Sequence, residues 1–291
     1  MKKIVIAGFG QPVIDLYHSF KNKFEVVGVI LDYERRIKFP FFYDFLASES
    51  LRIVSFETIN DYSPDLVLVI NYNKIIDVSN SNIPLLLNIH MGLLPVYRGN
   101  NANSLSILNG DRNVGYTLHE VNDILDGGKI YYTFSYLIKE NETYFEAKKA
   151  INNDLVTQLP KILEFVLDGT MKGVEQIDEK FIYASKLVPE DGIIKKWNCK
   201  TDDIVNKNII FSRPLGTGLK MKYQETIFEI NKWSLIPNFM KSKGFPGAIV
   251  LKNSDGSVWI KTKDTAISID ELLIDGKIVF PSDIFKIGER L

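Results

Sequence analysis

A single cysteine, Cys199, stands in 291 residues. That excludes an internal disulfide and a metal site built from several cysteines, and it fits a reducing, cytoplasmic setting. No stretch approaches the ~18 apolar residues of a membrane-spanning helix. The opening "MKKIVIAGFG" has too short an apolar run for a signal peptide, and Gln11, Pro12 and Asp15 follow at once. Neither sign of charge dominates: 35 Lys and Arg against 36 Asp and Glu leave a net charge of −1. The chain therefore lacks the overall basic character that a nucleic-acid partner asks for. Internal repeats and low-complexity segments are also missing. What remains, with 45% hydrophobic and 24% charged residues, is the composition of a globular chain with one large or two modest domains.

Apolar runs carry the first part of the chain. "KKIVIAGFG", "FEVVGVILD", "PDLVLVINY" and "PLLLNIH" alternate with helix-like segments such as "PVIDLYHSFKN", where Val13, Leu16, Tyr17 and Phe20 share a face. Such runs predict strands buried on both faces of a mainly parallel sheet, hence a Rossmann-like α/β domain. "VGYTLHEV" and "KIYYTFSYLI" read as later strands. A long helix is expected from Thr143 to Gly169, opened by a Thr143–Glu146 capping box and kinked or divided at Pro160. After about residue 185 short alternating strands appear, including "TIFEINKW", "GAIVLKN", "SVWIKTKD" and "AISIDELLI". The expectation is an α/β catalytic domain over residues 1–185 and a smaller β-rich, barrel-like domain over 186–291.

The fourth apolar run ends in Asn88, Ile89 and His90. Period-two alternation points Asn88 and His90 to one side and Ile89 to the other. Ligands bind beyond the carboxyl ends of strands in open α/β sheets. An amide and an imidazole there can donate hydrogen bonds to a developing oxyanion, and the imidazole can also carry a proton. Asp126, ahead of Gly127 and Gly128, is a third candidate: a carboxylate that could orient the histidine or a water. His18 and His119 read as structural or surface residues. Trp197, Trp233 and Trp259 read as packing of the second domain. "GFGQPV" begins like a dinucleotide fingerprint but has Val13 where the third glycine belongs, which weakens a nicotinamide oxidoreductase reading.

Taken in order, "NIHMGLLPVYRG", "ILNGDRNVGYTLHEV" and "LDGGKI" resemble the 10-formyltetrahydrofolate-dependent formyltransferases. "YASKLVPEDGIIKKW", "RPLGTGL", "GFPGAIV" and "DELLIDGK" resemble the domain appended to the methionyl-tRNA and some sugar formyltransferases. The resemblance implies a catalytic trio of Asn88, His90 and Asp126. It implies acyl transfer from 10-formyltetrahydrofolate to an amine, with no metal and no covalent enzyme intermediate. It places the folate against Asn71, Tyr72 and Lys74, the loop Gly92, Leu93 and Leu94, and the loop holding Asp123 and Leu125. Gly10 and Gln11 become candidates for the nucleotide end of a substrate, or form a plain strand-to-helix turn. Tyr97 and Arg98 take substrate or loop-positioning roles.

The amine is the open question. The tRNA enzymes carry a long basic loop after the second strand; here the region is short, and Arg35, Arg36 and Lys38 give way to aromatics and acids. Asn100, Asn101 and Asn103 follow Arg98-Gly99 and suit a polyhydroxylated ligand, or a polar helix start. Against this, Lys195 to Lys222 holds seven basic and two acidic residues, which could meet RNA phosphate or a nucleotide diphosphate. The resulting expectation is an N-formyltransferase acting on a nucleotide-linked (UDP-, dTDP- or GDP-) amino sugar for surface glycans. Its partners would be the nucleotide sugar and folate, with no nucleic acid and with a homodimer as its assembly. The alternatives are methionyl-tRNA formylation and a non-catalytic folate or nucleotide-sugar binding module.

Overall fold

The computed structural model describes residues 1–32, 39–77, 83, 85–177, 181–214, 216–236 and 244–291. The basic cluster Arg35, Arg36 and Lys38 lies outside the described residues, as do Pro84 and Leu215. The chain divides into two compact units. The first contains residues 1–103, 113–137 and 147–185; the second contains 104–112, 138–146 and 186–291.

In chain order the elements up to residue 185 are β1 (Lys3–Gly8), α1 (Gln11–Phe20), β2 (Glu25–Ile30), α2 (Pro40–Ser48), β3 (Ile53–Val54), β4 (Leu66–Ile70), β5 (Leu86–His90), β6 (Tyr97–Gly99), α3 (Ala102–Leu108), β7 (Asn113–Glu120), β8 (Ile130–Leu137), α4 (Tyr144–Leu167) and β9 (Ile182–Ala184). The first unit is built on a sheet of order β3-β2-β1-β4-β5-β7-β8. The pairs from β3 to β5 are parallel, and β7 and β8 join antiparallel. All five residues of β4 are buried, as continuous apolar runs with helices on both faces require. Edge strand β8 alternates instead between half-buried and exposed positions.

One face of this sheet collects Val5, Ala7, Val67, Val69 and Leu86 into a core. Asn88 lies opposite Val69 on β4, so the face that is apolar through Leu86 turns polar at Asn88 and His90. Helix α1 buries Val13, Leu16 and Phe20. Tyr17 sits at the margin of that stripe, its hydroxyl donating to Glu49 at 2.8 Å. The capping box forms as expected, with Thr143 N–H on the Glu146 carboxylate and Glu146 N–H on Thr143 Oγ1. Pro160 does not divide α4, which runs unbroken across it. The apolar stripe Ile151, Leu155, Leu159, Ile162, Leu163 and Val166 is buried on both sides of the proline. That burial outweighs the one backbone bond the proline removes.

The second unit carries β10 (Ile193–Ile194), α5 (Thr201–Phe211), β11 (Lys220–Tyr223), β12 (Thr226–Leu235), β13 (Ile249–Lys252), β14 (Val258–Lys261), β15 (Ala266–Ile274), β16 (Lys277–Val279) and α6 (Pro281–Ile284). Its sheet has the order β10-β11-β12-β15-β14-β13, with β16 also on β15. Trp197 is buried in its core, and Trp233 and Cys199 pack against that core half-buried.

Candidate active site

Strand β5 delivers Asn88 and His90 to the carboxyl end of the parallel part of the sheet. Strand β7 runs antiparallel beside it, with Asn88 opposite His119 and His90 opposite Thr117. Paired residues share a face, so four polar side chains gather there. Asp126 comes to them from the turn after β7, with its own backbone in the left-handed region at φ +53°. His90, Thr117, His119 and Asp126 are all buried.

The carboxylate of Asp126 is the hub. Its Oδ2 accepts from the Gly99 N–H at 2.7 Å and lies 3.3 Å from His90 Nδ1. Its Oδ1 lies 3.3 Å from His119 Nε2 and accepts from Asn88 Nδ2 at 3.4 Å. Asn88 Nδ2 is also 3.1 Å from His119 Nε2. Each imidazole spends its other nitrogen on a backbone carbonyl, which can only accept. His90 Nε2–H donates to Tyr97 O at 2.8 Å, and His119 Nδ1–H donates to Glu120 O at 2.7 Å. These bonds define the tautomers. In the neutral rings His90 Nδ1 and His119 Nε2 present lone pairs inward, and a proton taken up at either nitrogen is donated to Asp126, which is the form in which His119 hydrogen-bonds the carboxylate.

Burial works to raise the Asp126 carboxyl. The hydrogen bond from His119, the charge of His90, the Gly99 amide and the charge of His119 outweigh it and hold the group down at about 2. Asp126 is therefore an anion throughout the neutral range. Burial pushes His90 below the ordinary imidazole value, the nearby His119 adds to this, and the attraction of Asp126 and the Tyr97 carbonyl only partly offset it. A neutral imidazole next to a fixed carboxylate can receive a proton and be stabilised once charged.

Two further features hold the cluster. Gly92 passes so close to His90 that a Cβ there would stand 2.6 Å from Nε2 and 2.4 Å from Ala102 Cβ. Thr117 Oγ1 donates to Gly92 O at 2.7 Å and accepts from Leu94 N–H at 3.1 Å, pinning the 92–94 loop.

Asn88, His90 and Asp126 thus come together as the sequence predicts. His119, read from the sequence as a structural or surface residue, is buried and is the fourth member of the cluster. Thr117 and His119 repeat, at period two in an otherwise apolar strand, the pattern of Asn88 and His90, and that was the available signal. Arg98, read as a substrate or loop-positioning residue, and Asn103, read as a ligand contact or part of a polar helix start, both bond protein groups. Arg98 is fully buried with Nη2 on Gln176 at 2.9 Å and its guanidinium 4.2 Å over the Phe181 ring. Asn103 is buried and bonds both backbone groups of Gly115, at 2.8 and 2.9 Å. Tyr97 contributes its carbonyl to His90, with its side chain buried. Asn100 and Asn101 lie at the start of α3, Asn101 left-handed at φ +58°. Gly10 and Gln11 form the turn into α1, where a Cβ on Gly10 would meet only Pro12 Cδ at 4.0 Å. Asn71 donates from Nδ2 to Phe9 O, and Tyr72 packs half-buried on Phe56. Lys74 is exposed, Leu93 is half-buried and Leu94 buried. Asp123, Ile124 and Leu125 stand exposed just ahead of Asp126. Among the described residues no group of three or more His, Cys, Asp or Glu is arranged to hold a metal ion.

A strand-borne amide and imidazole converge on a buried carboxylate, and residues 46–163 match the formyl transferase family. The matched segment takes in Asn88, His90, His119 and Asp126. It is 28% identical over 229 residues to the bifunctional polymyxin resistance protein ArnA of Wigglesworthia glossinidia brevipalpis, covering 74% of this chain and 35% of that protein. The chain thus spans about a third of ArnA's length. It is 28% identical over 252 residues to the methionyl-tRNA formyltransferase of Fusobacterium nucleatum, covering 81% of this chain and 77% of that one. The fold is shared with the N-formyltransferase of Helicobacter canadensis, solved with folinic acid and dTDP-3-aminofucose. That match has a TM-score of 0.70 and 19% identity, and it covers 92% of this chain and 99% of the other.

Proposed function

We propose that this chain transfers a formyl group from 10-formyltetrahydrofolate to the amino group of a nucleotide-linked amino sugar. The observation that carries the chemistry is the convergence of Asn88, His90 and His119 on the ionised Asp126 within a formyl transferase domain. The donor suits the surface beside Asp126, where Ile124 and Leu125 expose apolar side chains that a flat ring would cover. We assign Asn71, Tyr72, Lys74, Gly92, Leu93, Leu94 and Asp123 to the donor as well, and the donor supplies the formyl carbon.

The attacking amine must be unprotonated. As it bonds to the formyl carbon, negative charge develops on the formyl oxygen. Asn88 Nδ2–H and His90 Nε2–H stabilise that charge, His90 exchanging its Tyr97 partner for it. One such donor is worth about 3 kcal/mol of barrier, roughly a hundredfold in rate. The proton lost by the amine is received within the His90–Asp126 pair and passed to the departing nitrogen, a service worth ~10²–10⁴-fold. Asp126 stays ionised and holds the charged imidazole.

A sugar acceptor is favoured by the asparagines at the start of α3 and by the fate of the basic stretch in the second unit. Arg213 is spent on Glu229 through two bonds, at 2.8 and 2.9 Å. Lys222 lies 3.6 Å from Glu225, and Lys207 donates to the Asp191 carbonyl. The Helicobacter canadensis enzyme, matched over nearly its whole length, was solved with a nucleotide amino sugar. The second reading, methionyl-tRNA formylation, has the Fusobacterium nucleatum relative in its favour. We assign residues 1–185 the catalytic role and 186–291 an accessory one, in a cytoplasmic enzyme.

The deciding experiment supplies 10-formyltetrahydrofolate with a panel of UDP-, dTDP- and GDP-linked amino sugars, and methionyl-tRNA beside them. Turnover on a sugar is expected, with a loss of at least about a hundredfold in Asn88→Ala and in His90→Ala. Turnover on the tRNA alone moves the acceptor and leaves the trio intact. Near-normal rates in either variant remove the mechanism.

A further inference from the structure

Three consecutive residues of β6 each hold a different part of the cluster. Tyr97 gives its carbonyl to His90, and Gly99 gives its N–H to the Asp126 carboxylate. Arg98 acts at one remove, through Gln176. Its Nη2 donates to Gln176 Oε1 at 2.9 Å. The amide nitrogen of Gln176 then donates to two carbonyls, Asp126 O at 2.8 Å and Gly128 O at 2.7 Å.

The direction of this relay is fixed by chemistry. A guanidinium only donates, so the Gln176 oxygen must face Arg98 and the NH₂ must face the loop. Arg98 itself cannot swing away, being fully buried with its guanidinium on Phe181. Both hydrogens of Gln176 are used, one on each side of Gly127.

The clamped loop needs holding. Asp126 sits at φ +53°, a region that side-chain-bearing residues avoid. Gly128 passes so near the end of β7 that a Cβ would stand 1.9 Å from Glu120 O. The Asp126 carboxylate meets His90 and His119 at 3.3 Å each, so a loop shift well under 1 Å would break both contacts.

We infer that Gln176 is a positioning residue for the reaction: it clamps the carbonyls of Asp126 and Gly128, oriented by buried Arg98, and so sets the Asp126 carboxylate between the two imidazoles. The inference rests on the formyl-transfer reading for its catalytic consequence, but not for its geometry. It assigns Arg98 an inward role in place of a substrate contact.

Two variants separate positioning from plain packing. Gln176→Met keeps length and removes every hydrogen bond. Gln176→Glu keeps an acceptor for Arg98 and removes both donors to the loop. The first readout needs no substrate. The chain has three histidines, so imidazole ¹⁵N titrations resolve each one. The groups facing Asp126 are Asn88 and His90 on β5, His119 on β7 and the Gly99 amide on β6. In Gln176→Met, His90 loses part of the attraction of Asp126 and its inflection should fall by about half a pH unit or more. The second readout is kinetic: kcat should fall about tenfold to a hundredfold in both variants, with the donor KM nearly unchanged.

Wild-type kcat and imidazole titrations in Gln176→Glu would overturn the inference, because then only the Arg98 contact matters. If Gln176→Met does not fold, the Glu variant and the wild-type Gln176 side-chain protons decide. Those protons should be protected from exchange; free exchange overturns the clamp. Should the wild type formylate no acceptor while the His90 titration still shifts, the clamp stands and the activity reading falls.

Discussion

Asp126 and His90 make opposite demands on the same proton, and their pH dependence follows with a definite sign. Asp126 is held at about 2 in the fold, against an ordinary value of 3.8. It contributes stability that is present above pH 3.8 and is lost as the pH falls toward 2. His90 is held below its ordinary 6.5, so the unfolded chain binds that proton more readily. Its contribution is lost as the pH falls below 6.5. Both effects make the fold weaker in acid, His90 first. Denaturation midpoints measured from pH 7 to pH 3 should fall throughout, and Asp126→Asn should flatten the lower part of the curve while steepening the upper part, where His90 loses the attraction of the carboxylate. The rate should follow the neutral imidazole. The acid limb of kcat should lie below the ordinary histidine value, with no carboxylate limb above about pH 3. A limb at 6.5 or higher would mean that His90 is not held neutral by burial. Loss of the limb in His90→Gln, with residual rate, would assign it.

Strands β5 and β7 show what a sequence reveals and what it hides. Apolar runs predicted the sheet because burial on both faces leaves no freedom of pattern. The Asn88–His90 alternation predicted a polar strand end because period two is a property of one strand alone. His119 was missed because its place depends on pairing: only an antiparallel β7, in register with β5, sets it against Asn88. Arg98 and Asn103 were left between two readings for a related reason. A polar residue after a turn looks like a ligand contact until the structure shows which backbone it satisfies. Gln176 carried no local signal, since its partners are 78 and 50 residues away in sequence. Pro160 does not divide α4, because a local rule met a long buried stripe. Thr117 tests the pairing between elements. Replacing it with valine keeps shape and strand propensity but strips Gly92 O and Leu94 N–H of their partner. Each buried group left unpaired costs about 1–3 kcal/mol, so the urea midpoint of Thr117→Val should drop clearly. The 92–94 loop should loosen and the donor KM should rise more than kcat falls. An unchanged midpoint would show that the loop is held by other means.

Charge over the whole chain bears on which acceptor the enzyme serves. The net charge is −1, so an electrostatic hold on a polyanion must come from a local patch. A basic-rich stretch among the described residues, Lys195 to Lys222, has seven basic residues against two acidic. Arg213 faces Glu229, Lys222 faces Glu225, and half-buried Lys207 turns to the Asp191 carbonyl. Lys220 also lies within the field of Glu229. That leaves Lys195, Lys196 and Lys200 to meet phosphate. Each phosphate neutralised adds roughly 0.9 to the slope of log K against log salt. Among the described residues, then, a slope of no more than about 3 is expected for methionyl-tRNA, with an affinity in the nonspecific range of about 10⁻⁴–10⁻⁶ M at physiological salt. A filter-binding titration from 50 to about 200 mM salt measures both quantities. A nucleotide diphosphate needs only two or three cations and is indifferent to this outcome. A slope near 6 or above, with nanomolar binding, would mean that the chain holds a polyanion across a broad face. The acceptor would then be tRNA, while Asn88, His90, His119 and Asp126 would keep the same chemistry.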